Sequence, residues 1–400
     1  MMVGLGQLTH HNADLGSMLQ APPDVAADRV QAVIVPFGKI HQNDVAVDLG
    51  SNLLVAPGIA VLESDRFVYS WHNSFPILVD CCKTGSDLPV TTSATDYFLC
   101  GWHVRSEFPL PELALWQDTQ HHPDITLTLN EPELVDPAAP AAWPGFQIEA
   151  PALARVEMTS ICTFSVRDGC EIRLRVEPGA DPIEVRNFLY GTGLGMICHQ
   201  RGVFPLHGSC LSLGGRAVIF SGRSGAGKST LAAALTQRGH TMLSDDVCAL
   251  EPTAEGWSVR PAFPRVKLLP QSLEVLPDLK QSGVHAALQG KYHFRFENVS
   301  AFSQKTTPLA AIYFLERGED GEPATLLRKT GMDALLLVQQ QVFRRRAGEL
   351  LGRRQAIFTT SGAIVSNVPV YVLRRAFDLQ RLQKTIDLLE EAHEAVPVQI

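Results

Sequence analysis

A glycine-rich loop between an apolar run and an Ala/Leu-rich run limits what this chain can fold into more than any other feature. Ala217–Phe220 is short and apolar and predicts a buried strand. The next residues, Gly222, Arg223, Ser224, Gly225, Ala226, Gly227, Lys228 and Ser229, satisfy the spacing G-x-x-x-x-G-K-[ST]. Thr230 to Arg238 is rich in Ala and Leu and predicts a helix that Gly239 ends. Gly222, Gly225 and Gly227 let the backbone turn tightly and aim several N–H groups at one anion. The helix start adds its partial positive charge at the same point. In such a loop Lys228 reaches the β- and γ-phosphates of a nucleotide and the Ser229 hydroxyl holds Mg²⁺. Gly222 through Thr230 are therefore the candidate contacts for a nucleoside triphosphate.

Two further groups are spaced to serve that loop. His240–Ser244 predicts a second strand, and it delivers Asp245 and Asp246 to the phosphate end. One of Asp245 and Asp246 can hold the metal beside Ser229, and the other can take the proton of an attacking hydroxyl. His207 lies on the apolar run Val203–Leu213 that leads into the loop strand. A histidine on such a strand is ordinarily a core residue. Its place in a His-Gly pair upstream of Lys228 favours a role on the phosphates or on charge at the reacting centre.

The segment Phe204–Leu250 resembles the catalytic domain of HPr kinase/phosphorylase and the wider group of HPr-kinase-like serine kinases. The resemblance rests on Leu206-His207-Gly208, on the loop SGRSGAGKST, and on Gln237-Arg238-Gly239-His240 leading to Ser244-Asp245-Asp246. It implies ATP and Mg²⁺ as cofactors, with Ser229 and Asp245 on the metal, Asp246 as general base, and Lys228 and His207 stabilising the transferring group. It implies transfer to a hydroxyl, a serine on a protein or peptide being the acceptor class. It also leaves open a homo-oligomer, since hexamers occur in that family. Bifunctional members carry a glutamate-bearing signature downstream of the aspartates. Here Val259–Leu268 reads VRPAFPRVKL, without that glutamate, so phosphorylase activity and control of sugar uptake are not implied. The phosphoenolpyruvate carboxykinases share the loop type, but their further metal ligands and substrate arginines have no counterpart that can be located. A small-molecule kinase on the same site and a nucleotide-dependent switch without transfer both stay open.

The expected fold is α/β: a P-loop kinase domain of the HPr kinase/phosphoenolpyruvate carboxykinase type with a mixed sheet, preceded by β-rich N-terminal domains. At 400 residues the chain has room for two or three domains. Residues 1–29 read as a mobile leader whose His10-His11 pair is solvated, 30–94 as a small β-rich module and linker, 95–190 as a β-rich domain, and 191–400 as the catalytic domain. A net charge of −8 argues against nucleic acid as a main partner. The eight cysteines form no C-x-x-C pair, no signal peptide is visible, and no apolar run reaches membrane-spanning length. These features read as a soluble cytoplasmic protein with reduced thiols and no membrane partner.

Within the later segments, Tyr97–Val104 reads as one strand and Asp168-Gly169 as a hairpin turn. Asp181-Pro182 starts a helix running to about Gln200, weakened by Gly191 and Gly193. Arg260, Arg265 and Lys267 are either phosphate or substrate contacts or solvated loop charges. Leu273–Leu288 has helical character, and Lys291 and Arg295 sit on an alternating strand facing a candidate ligand. Met332–Leu351 predicts one helix, with Arg344-Arg345-Arg346 as its solvated basic end. A strand at Val368–Leu373 and an amphipathic helix at Leu379–His393 close the chain.

Overall fold

The computed structural model describes residues 53–56, 59–64, 67–72, 75–80, 94–118, 121–274, 276, 285–286, 292–295, 301–319, 321–376, 378 and 381–394. The leader with its His10-His11 pair, the first part of the expected β-rich module (30–52), most of the expected linker and Lys291 lie outside these residues, as does the Arg295 side chain. The chain divides into two units, Met1–Lys83 and Thr84–Ile400. The first holds an antiparallel meander of Leu53–Ala56, Ile59–Ser64, Phe67–His72 and Phe75–Asp80.

The second unit opens with a nine-stranded sheet. Its order is 114–115, 95–99, 102–106, 125–128, 171–176, 162–167, 153–158, 146–149 and 141–143. Pairing is antiparallel except where 125–128 runs parallel to both neighbours. The run expected as one strand at 97–104 is instead a hairpin, because Cys100 and Gly101 both take positive φ (53° and 76°) and reverse the chain. Asp168 and Gly169 (51° and 66°) make the expected turn.

Helix α1 (Pro182–Phe188) is capped by Asp181, whose carboxylate accepts from Ile183 N at 2.8 Å, with Pro182 in the first turn. A π-helical turn, Leu189–Gly193, interrupts it before α2 (Leu194–Arg201), which Gly202 ends in the left-handed conformation. The two glycines that weaken the expected straight helix therefore mark a real change of helical pitch. Side chains from this helical run, from the nine-stranded sheet and from Val247, Phe263, Ala347 and Leu351 share one buried core. The expected boundary at 190/191 thus falls at the π-helical turn, within one helical run and one shared core.

The second sheet is built from β1 (Phe204–Leu213), β2 (Arg216–Ser221), β3 (Thr241–Thr253), β4 (Gly256–Arg260), β6 (Thr307–Arg317), β7 (Thr325–Lys329) and β8 (Val370–Arg375). Its order is β2-β1-β3-β4-β6-β8-β7, and β2 also pairs with β6 in parallel. Ala217 to Phe220 are fully buried, as an uninterrupted apolar strand covered on both faces must be. Helix α3 (Lys228–Gln237) and the closing helix α6 (Leu382–Glu394) cover one face with Leu231, Leu235, Leu382, Ile386 and Leu389. Helices α4 (Gly331–Gln340) and α5 (Arg354–Asn367) cover the other with Ala334, Val338, Ile357 and Ile364. Each fully buried leucine or isoleucine contributes about 1.5–3 kcal/mol. A smaller sheet pairs β5 (Arg265–Leu268) with Tyr292–Arg295, itself flanked by His285–Ala286. Of the helix expected at 273–288, Pro270–Glu274 is a 3₁₀ turn, 285–286 is strand, and most of the rest lies outside the described residues. Among the described residues no helix is long and apolar enough to cross a membrane.

The expected helix at 332–351 stops at Gln340, and Arg344 turns the chain at φ 50°. His199 from α2 anchors this turn: its Nε2 donates to Phe343 O at 2.8 Å, and Gly348 packs directly on the ring. Burial lowers the His199 pKa from the ordinary 6.5 to about 4. The unfolded chain therefore binds a proton here before the folded protein does. This site's contribution to stability is full above about pH 6.5 and is lost as the pH falls toward 4. Urea unfolding is expected to reveal a loss of about 2–3 kcal/mol at this site between pH 7.5 and 4.5. His199→Gln keeps an N–H for Phe343 O but does not titrate, so its stability should fall correspondingly less over that range. Equal slopes in the two proteins would refute the assignment.

Candidate active site

The loop after β2 leaves the sheet at Gly222, whose φ is 130°; a Cβ there would stand 2.9 Å from the Leu315 carbonyl oxygen of β6. Gly227 takes φ 84°, and a Cβ on it would collide with the Arg375 guanidinium at the end of β8. Lys228 is buried and folds back to donate to Gly222 O (2.9 Å) and Arg223 O (3.1 Å). The loop thus closes around its own lysine. Ser224, Gly225, Ala226, Gly227, Lys228, Ser229 and Thr230 line a cavity of about 450 Å³. Gly222 and Arg223 do not line it; they enter through the carbonyls that hold Lys228.

Asp245 and Asp246 both line this cavity, which a regular strand would forbid because successive side chains point to opposite faces. The departure is at Asp246, whose φ is 94°. A non-glycine residue in this region is strained, and here the strain turns a second carboxylate onto the first one's side of the strand. Asp245 is buried and accepts from three donors. Its Oδ1 accepts from Ser229 Oγ (2.9 Å) and Ser209 Oγ (2.5 Å), and its Oδ2 from Lys267 N (3.0 Å). Asp246 Oδ2 accepts from Lys267 Nζ at 2.8 Å, and Oδ1 lies 3.3 Å from His207 Nδ1. Burial pushes the Asp246 carboxyl up, but the Lys267 charge, with the His207 hydrogen bond, outweighs it and holds the group well below the usual carboxylate range.

His207 is seated by both neighbouring strands. Ser221 Oγ on β2 donates to His207 O at 2.6 Å, and His207 Nδ1 donates to Asp246 O on β3 at 3.0 Å. Because a carbonyl only accepts, Nδ1 carries the proton and Nε2 is left to act as the second site of the ring. His207 also lines the cavity.

The structure brings Lys228, Ser229, His207, Asp245 and Asp246 to one cavity and adds residues that the motif did not single out. Ser209 stands two residues after His207 on β1, and the period-two rule for strands was the available signal that it shares the His207 face. Asn187, Lys267, Gln271, Ser272, His293 and Arg375 complete most of the remaining wall. The three basic residues weighed together separate. Arg260 pairs with Glu251 and covers Trp102. Arg265 is buried between the rings of Tyr190 and Phe263, each 5.0 Å from its guanidinium carbon, so it is no solvated loop charge. Only Lys267 reaches the cavity. The run 344–346 also divides. Arg345 and Arg346 are exposed, whereas Arg344 packs over Trp143 and Phe343 and donates to Thr192 Oγ1 at 2.8 Å. The expectation of a solvated basic helix end fails at Arg344, because the helix ends four residues earlier and the turn folds inward.

A magnesium ion fits the chemistry of this wall: the Ser229 hydroxyl and the Asp245 carboxylate are hard oxygen donors 2.9 Å apart. Among the described residues no group of three or more His, Cys, Asp or Glu could hold a metal by itself.

Residues 203–261 match the family model of the HPr Serine kinase C-terminal domain. No curated protein matches the chain. Among solved structures, the Hpr(Ser) kinase/phosphatase from Coxiella burnetii is 13% identical, with a TM-score of 0.26, over 48% of this chain and 97% of that one.

Proposed function

With residues 203–261 making this chain HPr-kinase-like, we propose that it transfers the γ-phosphoryl group of ATP to a hydroxyl, a serine on a protein or peptide. The observation that carries this reading is the convergence of the glycine loop, the Ser229–Asp245 pair and Asp246 on one cavity. Phosphoryl transfer needs little covalent help from a protein; it needs alignment and neutralisation of charge. The loop and Lys228 hold the phosphates. Ser229 and Asp245 hold Mg²⁺, which when bound neutralises charge on the phosphate oxygens. Asp246 orients the acceptor hydroxyl and takes its proton as the new O–P bond forms and the bond to the β-phosphate oxygen breaks. ADP leaves with that electron pair. His207 stabilises charge at the reacting centre.

The cavity residues that touch the Asp246 carboxylate, His207 and Lys267, are polar. That favours an open polar acceptor site over the apolar pocket a small-molecule kinase would use. The segment 259–268 brings a lysine and no carboxylate to the cavity, which supports a kinase without the phosphorylase direction. A cytoplasmic setting goes with this reading, since the six described cysteines are free thiols and ATP is the donor.

The test is transfer of label from γ-labelled ATP with Mg²⁺ to proteins and peptides of a native extract. A labelled protein or peptide band is expected. ATP binding with no transfer to any protein, peptide or small-molecule fraction would refute the kinase and favour a nucleotide-dependent switch.

A further inference from the structure

Lys267 is the residue through which both aspartates are held. It sits on β5 between Val266 and Leu268, which are fully buried and pin the strand to Tyr292–Arg295. Its backbone N–H donates to Asp245 Oδ2 at 3.0 Å, and its ammonium donates to Asp246 Oδ2 at 2.8 Å. An ammonium has three N–H donors. Among the described residues Asp246 is its one side-chain acceptor, and the side chain, 14% exposed, lines the same cavity as the glycine loop. A partly buried cation with unspent donors in a wall shared with Lys228 and Ser229 suits a further anionic oxygen.

The position along the cavity identifies which oxygen. The backbone N–H groups of the loop and the start of α3 take the inner phosphates, and Lys228 reaches the β- and γ-phosphates from that side. Asp246, to accept the acceptor's proton, must stand on the far side of the terminal phosphorus. A lysine bonded to Asp246 is therefore at the terminal end. We propose that Lys267 clamps the γ-phosphate to Asp246, so that one side chain aligns donor and base and the site tells a nucleoside triphosphate from a diphosphate. This rests on the ATP-dependent reading above.

The experiment measures binding of a non-hydrolysable ATP analogue and of ADP, each with Mg²⁺, to the full chain by calorimetry. Lys267→Gln keeps a donor for Asp246, and its backbone N–H still serves Asp245, so folding is retained while the charge is removed. Its affinity for the triphosphate is expected to fall about ten- to a hundredfold, with ADP affinity within about twofold. Lys267→Arg, which keeps the charge, should recover most of the loss. Equal losses for the two nucleotides would mean a structural role and overturn the proposal, as would no loss for either. Thermal unfolding of both variants identifies a folding defect, and Lys267→Arg decides the matter if Lys267→Gln is unstable: without triphosphate preference there, the clamp is refuted. If the wild-type chain binds both nucleotides and transfers nothing, the kinase reading fails and the triphosphate preference still tests the clamp. If it binds neither, both fail.

Discussion

Asp246→Asn is expected to reduce phosphoryl transfer by about 10²–10⁴-fold while nucleotide binding is retained or tightened. The substitution is chosen for the backbone as much as for the chemistry. Asp246 stands at φ 94°, where Asn is among the few side chains that are well tolerated, whereas Ala would add strain to the loss of function. An Asn oxygen can still accept from Lys267 Nζ, and His207 Nδ1 keeps its bond to the Asp246 backbone carbonyl, so of the His207 contacts only the 3.3 Å ion-pair contact with Oδ1 is lost. The fold and the cavity wall are therefore preserved, and what disappears is the carboxylate. Removing a negative charge from the terminal-phosphate end cannot weaken ATP electrostatically. Transfer kinetics and nucleotide affinity measured on the same preparation separate the two effects. Transfer within tenfold of the unmodified protein would remove Asp246 as the base.

That residue also marks where reading the sequence succeeds and where it stops. The order strand, glycine loop, helix and paired aspartates is local, and local spacing suffices to bring Lys228, Ser229 and Asp245 together. Asp181-Pro182 and Asp168-Gly169 are legible for the same reason, since caps and turns are decided by the residues that make them. Period-two reasoning, however, sends Asp245 and Asp246 to opposite faces. Only the positive φ, imposed by the strands and by Lys267 and His207 around it, turns both inward.

The other departures are long-range in the same sense. Arg344 is drawn inward by Trp143 and Thr192, which are remote in sequence, so its surroundings could not be read from the basic run itself. The π-helical turn places Gly191 beside Asp246, where a Cβ would stand 3.7 Å from Oδ2. In the sequence that glycine reads only as a weak point in a helix. Helix α5 was not anticipated at all: its buried residues, Ile357, Ser361 and Ile364, make a narrow stripe among many polar and small side chains. Its packing on the second sheet, more than its pattern, makes it a helix.

Asp245→Asn is expected to lower transfer by about 10²–10³-fold and to raise the Mg²⁺ concentration needed for half-maximal rate, because the ion's charge stabilisation of the transition state is worth several kcal/mol and the variant removes the anionic group that would hold it. The hydrogen-bond geometry makes this a clean subtraction. Asn can keep its oxygen toward Lys267 N, which only donates, and turn its NH₂ toward Ser209 and Ser229. Both hydroxyls can rotate from donating to accepting, so no buried donor is stranded. The fold should consequently survive with a change of about 1 kcal/mol or less. Asp245→Ala would instead leave an amide N–H and two hydroxyls facing a hole, mixing destabilisation with loss of the metal site. A rate titration against Mg²⁺ at saturating ATP distinguishes the outcomes. A parallel loss of rate at every Mg²⁺ concentration, with the midpoint unmoved, would mean that Asp245 serves the loop's architecture, through Ser209 and Ser229, and that the ion is held elsewhere.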